Sequence, residues 1–119
     1  MAGKLDRKSA AALAKLDAIE AEMKRIGYWS KNPPDLRRHY RAGKLKTFLD
    51  APSFELWLQC VFLPNARDAA KSGEFPKRSD VGVMAMRQYD YHESVPEAQG
   101  LRRLLAEFDD IVEDAQGGP

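Results

Sequence analysis

Apolar residues recur every three or four positions in four separate stretches of this chain, and nowhere do they alternate over a strand's length. A stripe at helical spacing needs another helix to cover it, so this pattern constrains the fold more than any other feature. Within residues 5–26 the stripe is Ala12, Leu16, Ile19, Met23 and Ile26, free of Gly and Pro until Gly27, with Lys24 and Arg25 in the last turn. Both the stop and the two cations suit a helix C-terminus. Residues 53–72 carry Phe54, Trp57, Leu58, Val61 and Phe62 behind Ser53, a candidate N-cap, and end at Ser72-Gly73. Residues 79–91 carry Val81, Met84, Ala85 and Tyr89 behind Ser79. Residues 95–114 carry Leu101, Leu104, Leu105, Phe108, Ile111 and Val112, with Ser94 and Glu97 spaced as a capping box and Pro96 in the first turn.

A chain of 119 residues is the size of one domain, so four stripes must bury against one another. The expectation is an all-α, compact, four-helix bundle-like single domain over residues 5–115. Tails 1–4 and 116–119 lack apolar anchors and are expected to be flexible. The rival use of the first helix, as a lone coiled-coil strand, has only about three heptads to draw on.

Prolines divide this plan. Asn32-Pro33-Pro34 forbids regular helix locally, making residues 28–50 a long connection between the first two helices. A short helix fits at 35–41, between Pro34 and Gly43. Pro64 falls inside the second helix and removes the hydrogen bond to the Cys60 carbonyl, which predicts a kink or break. The distortion either splays the helix to shape a pocket or bends it round the core, and the bend is the expectation.

The run Phe48-Leu49-Asp50-Ala51-Pro52-Ser53-Phe54-Glu55-Leu56-Trp57-Leu58-Gln59-Cys60-Val61-Phe62-Leu63-Pro64 resembles the central motif of the YqcC-like family, small bacterial proteins of unassigned function. The leucine-rich first helix leading to Trp29, and Ser79-Asp80-Val81-Gly82-Val83-Met84-Ala85, match that family in order. Asn65 and Ala66 depart from it where Arg and Met are usual, and Cys60 stands where an aromatic is common. The resemblance implies a compact four-helix domain with no assigned activity. Some members are encoded beside a tRNA pseudouridine synthase, which is the reason to expect an RNA-modification setting.

Catalytic chemistry finds little support in the residues themselves. Cys60 lies in an apolar run and reads as an inert thiol. His39 and His92 lack further ligands at helical or turn spacing, so no metal and no cofactor is expected. No Gly-rich phosphate loop occurs, and Asp109-Asp110 reads as a solvated face. A single cysteine excludes an intrachain disulfide. No run approaches the roughly 20 apolar residues of a membrane span, and Asp6, Arg7, Lys8 and Lys15 interrupt any secretory signal, so a cytoplasmic, membrane-free protein is expected.

Charge is the informative property. Residues 1–46 hold twelve Lys and Arg against five Asp and Glu, whereas the remainder is acidic. Tyr28, Trp29, Arg37, Arg38, Tyr40, Arg41, Lys44 and Lys46 mix cations with flat rings, as contact with RNA or another anionic partner requires. The competing reading is a solvated loop whose aromatics, Trp29 above all, fold back on the core. Trp57, Gln59 and Pro64 form a second candidate set. The Gln59 amide either meets a ligand in an apolar cleft or satisfies a backbone group within the domain, the latter being favoured. The leading expectation is therefore a non-enzymatic accessory or interaction domain, using residues 28–46 to meet an RNA-modifying enzyme or RNA. The alternatives are a small-molecule binder with a cleft near Trp57 and Pro64, and a structural homo-oligomer.

Overall fold

A computed structural model describes residues 6–90 and 95–117, and among these there is no strand. The chain forms an all-helical single globule. Helix α1 spans Arg7–Arg25, α2 spans Leu36–Arg41, α4 spans Val81–Asp90 and α5 spans Gln99–Gly117. Helix α3 runs continuously over 54–72, as α-helix Phe54–Trp57, a π-helical segment Leu58–Phe62 and α-helix Leu63–Ser72. Of the tails expected to be flexible, 1–4 and 116–119, residues 1–4 and 118–119 lie outside the described residues, whereas 116 and 117 belong to α5, which continues to Gly117, past the expected end at 114.

Helix α1 begins where the Asp6 carboxylate accepts the Ser9 N–H at 2.7 Å. It ends at Gly27, whose φ of 82° lets Tyr28 N–H reach the Met23 carbonyl at 2.8 Å. Its stripe of Ala12, Leu16, Ile19 and Met23 is buried against α5 and the second half of α3. Helix α4 lies on α5, so Leu101, Leu105, Phe108 and Val112 sit at the centre of the core. Each such side chain contributes about 1.5–3 kcal/mol on full burial.

Pro64 does not break α3. Just before it, Leu63 N–H bonds to the Leu58 carbonyl, five residues back, in place of the usual four. That wide turn absorbs the disruption a mid-helix proline brings. It also resets the stripe. Leu58 and Leu63 are both fully buried although five apart, a spacing that a regular α-helix would send to different faces. Val61, between them, joins a small second cluster with Leu36 and Leu45.

The start of α4 differs from expectation. Ser79 is not its cap; its hydroxyl donates to Asp109 Oδ1 at 2.5 Å, and helical bonding begins at Asp80. The same α5 carboxylate accepts Val81 N–H at 3.1 Å and Gly82 N–H at 2.7 Å. Asp109 is thus no solvated surface residue. It is 7% exposed and caps a neighbouring helix through space. Burial pushes its carboxyl above the ordinary range, against the pull of Ser79, Gly82 and Val81 in the other direction. Gly82 is needed at this crossing, because a Cβ there would come within 2.7 Å of Ala106 Cα. The expected Ser94–Glu97 capping box involves Ser94, outside the described residues; from Pro96 to Ala98 the chain makes a 3-10 turn leading into α5.

Helix α4 is tied to α3 by Tyr89, whose buried hydroxyl donates to Glu55 Oε2 at 2.5 Å. Burial first, then the Glu55 bond and charge, hold this phenol well above its usual range. Folded Tyr89 keeps its proton longer than the unfolded chain does. Its contribution is therefore complete below about pH 10, the unfolded value, and is lost as pH rises further, at about 1.4 kcal/mol per pH unit.

Two outcomes follow. Asp109→Ala, which strands three donors at a buried helix start, should cost about 3 kcal/mol in urea denaturation, and Asp109→Asn visibly less. Between pH 9 and 11 the wild-type denaturation midpoint should fall more steeply than that of Tyr89→Phe; parallel curves would show that the phenol carries no such linkage.

Candidate interaction site

Six residues of helix are too few to be stable alone, so α2 takes its order from its anchors. Leu36 and Leu45 bury against Val61 of the π segment. The Asp35 carboxylate accepts Arg38 N–H at 3.1 Å and caps the start, while Gly43, at φ 77°, closes the end through Lys44 N–H to the His39 carbonyl at 3.0 Å. Arg37 reaches across to α3, donating to Asn65 Oδ1 at 3.2 Å and pairing with Asp68. Behind α2, Gln59 of α3 grips the connection through both backbone groups of one residue, Ser30. Ser30 N–H donates to its Oε1 at 2.8 Å, and its Nε2 donates to the Ser30 carbonyl at 2.9 Å. Gln59 is only 8% exposed, so its amide serves the backbone.

This frame separates the sequence-selected residues. Arg38, Arg41, Lys44 and Lys46 are exposed, and among the described residues none has an ion-pair partner. Lys24 and Arg25 are matched within α1 by Glu20 and Glu22, and Arg37 by Asp68. Tyr28 and Trp29 do not join the cationic face. Both are half-buried against the core, Tyr28 with its ring 6.0 Å from that of Tyr89, and Trp29 with Lys24 Nζ 5.1 Å from its centroid. They line a shallow depression with Ser53 and Glu55. The expected interleaving of rings and cations is therefore corrected to a face of cations alone, joined by Tyr40.

Tyr40, 42% exposed, lines a different feature, an apolar cavity of about 300 Å³. Trp57, Val61, Phe62, Ala66 and Ala69 of α3 form one wall, with Phe75 and Pro76 of the α3–α4 loop and Phe108 and Val112 of α5 opposite. Of the expected cleft residues only Trp57 lines it; Gln59 is committed to Ser30, and Pro64 lies elsewhere on α3. Phe75 was missed because a single apolar residue in a loop gives no periodic signal. Phe108 was visible only as one member of a core stripe.

Cys60 is half-buried, and burial, then Asp35, push its thiol up, away from the reactive thiolate. His39 is exposed on α2, His92 lies outside the described residues, and no group of three potential metal ligands occurs among those described. No described helix is long and apolar enough to cross a membrane.

A family model described as DUF446, tRNA pseudouridine synthase C, matches residues 11–111, and the chain belongs to that family. Among curated proteins and solved structures, nothing gives a significant match.

Replacing Gln59 by Leu should leave the backbone N–H and carbonyl of Ser30 without their partner and cost about 2 kcal/mol. The loss should fall first on residues 30–47, read as faster trypsin cleavage at Lys31 and faster amide exchange there while α5 amides stay protected.

Proposed function

We propose that this member of the DUF446 family is a non-catalytic interaction domain working beside an RNA-modifying enzyme, with the outer face of α2 and the turn after it as its contact surface. The observation that carries this reading is the group Arg38, Arg41, Lys44 and Lys46, four exposed cations on an anchored scaffold, none of them in an ion pair among the described residues, with only Lys46 near a carboxylate, that of Asp50. Surface cations of this kind steer and orient an acidic partner.

The family description names tRNA pseudouridine synthase C, and the YqcC-like resemblance points to the same setting. We read both as naming the enzyme this domain accompanies, in the cytoplasm, and not a reaction of the domain itself. The buried carboxylate Asp109 is committed to Ser79, Val81 and Gly82, and no charged side chain lines the apolar cavity. A protein surface is favoured over RNA as the direct contact, because the rings that would stack on exposed bases, Tyr28 and Trp29, pack against the core.

The test is a titration of purified tRNA pseudouridine synthase C, and separately of tRNA, against the wild-type domain and Arg38→Glu/Arg41→Glu/Lys44→Glu, at low and moderate salt. The synthase should bind the triple variant about tenfold or more weakly, with a flatter salt dependence. Equal binding to wild type and variant would overturn the reading, and a charge-dependent affinity for tRNA alone would replace the protein contact by RNA.

A further inference from the structure

We infer that the cavity beside Tyr40 receives one large apolar side chain, of Phe or Leu size, projecting from an acidic segment of a protein partner. This deepens the preceding reading and rests on it for the identity of the α2 face as the contact surface.

Size comes first. The cavity, about 300 Å³, lies at the small end of the range of small-molecule pockets, large enough for an aromatic or branched side chain and too small for a folded element. Chemistry comes next. The lining is aromatic and aliphatic, and its polar groups are few and largely engaged: Asn65 Oδ1 accepts from Arg37, and the Ser79 hydroxyl donates to Asp109. A nucleobase would bring several donors and acceptors into this pocket with little to meet them, each unmatched group costing about 1–3 kcal/mol. An apolar side chain carries no such cost.

Charge then selects what flanks the anchor. Tyr40 forms part of the wall, and the next residue, Arg41, is exposed and unpaired among the described residues, as is Lys44 one turn on. Lys77 follows the lining residue Pro76 and is also exposed and unpaired. Of the nearby acids, Asp68 pairs with Arg37, Asp80 with Arg78 and Glu107 with Lys15, and Asp109 is held by Ser79, Val81 and Gly82, leaving exposed Glu74 beside Phe75 and Glu113 beside Val112. Glu74 and Glu113 lie on the loop and α5 side of the cavity, whereas its α2 side carries cations alone, so a segment whose carboxylates extend from the apolar anchor toward α2 finds complementary charge there.

The experiment uses the full chain, methyl-labelled for NMR, with four probes: N-acetyl-phenylalanine, its uncharged amide, N-acetyl-alanine and uridine monophosphate. N-acetyl-phenylalanine should bind with a dissociation constant near 1 mM, as expected for about fifteen heavy atoms. It should shift the Val61, Ala66, Ala69 and Val112 methyls and quench Trp57 fluorescence. The amide should bind more weakly, and N-acetyl-alanine should leave the cavity methyls unmoved. Ala69→Phe, or Ala66→Leu should the first fail to fold, should abolish the shifts while leaving the α2 cations intact. Cavity methyls unmoved by N-acetyl-phenylalanine, or moved more by uridine monophosphate, would overturn the inference. The fragment result stands apart from the synthase titration. A seated fragment with no synthase binding would leave the pocket and remove the partner, whereas synthase binding unchanged by Ala69→Phe and Ala66→Leu would remove the pocket and leave the charged face.

Discussion

Helix α5 is the element against which the rest of the structure is built. Leu101, Leu105 and Val112 are fully buried and Phe108 nearly so, under cover from α1 and α4 and alongside the core-facing residues of α3. Its polar side is equally committed: Asp109 caps α4, and Glu107 meets Lys15 of α1 at 2.8 Å. The two bonds differ in weight. The Lys15–Glu107 pair is partly solvated and contributes at most about 1 kcal/mol, whereas Asp109 satisfies buried donors that have no other recourse. A carboxylate placed at a helix start fixes the position of α4 along α5, and Gly82 lets the two backbones approach closely enough for that bond to form. Apolar burial supplies the attraction here, and the carboxylate supplies the register.

Much of this was legible in the sequence. Ala12, Leu16, Ile19 and Met23 read as one face of a helix and are one, because a spacing of three and four admits no other regular structure. The caps at Ser53 and the stops at Gly27, Gly43 and Gly73 were equally readable, since they depend on local chemistry alone. Features set by partners distant in sequence were not. Asp109 beside Asp110 has the look of a solvated pair, and only the arrival of α4 turns one of the two inward. Tyr28 and Trp29 sit among cations in the sequence, yet the reversal of the chain at Gly27 carries them back onto the core. Pro64 was correctly seen as a disturbance, but its remedy, one wide turn, appears in the sequence only as the five-residue interval from Leu58 to Leu63, which looks like noise until both are known to be buried.

That wide turn links the fold to the candidate site. Without it, a helix keeping Leu58 inside would rotate Leu63 and Ala70 away from α1, and α3 would lose half its hold on the core. With it, Leu58 and Leu63 share the interior while Val61, between them, faces Leu36 and Leu45 of the connection. The π segment thus serves two clusters from one short stretch. It accommodates a proline, and it offers an anchoring point for a helix too short to hold itself.

Helix α2 consequently has little independence. Its inner side is fixed by Leu36, its flank by Arg37 on Asp68, and the approach to it by the clasp of Gln59 on Ser30. These restraints are few, and each involves a different side chain, so the segment is ordered without belonging to the main core. Tyr40 and Arg41 are adjacent on this helix, one on the apolar cavity and the other in solvent. Adjacent residues on a helix point to different sides, so the cavity wall and the cationic side of α2 are neighbouring but separate surfaces. A partner long enough to reach from one to the other would meet both, since Tyr40 on the cavity and Arg38 and Arg41 in solvent stand on the same six residues of helix.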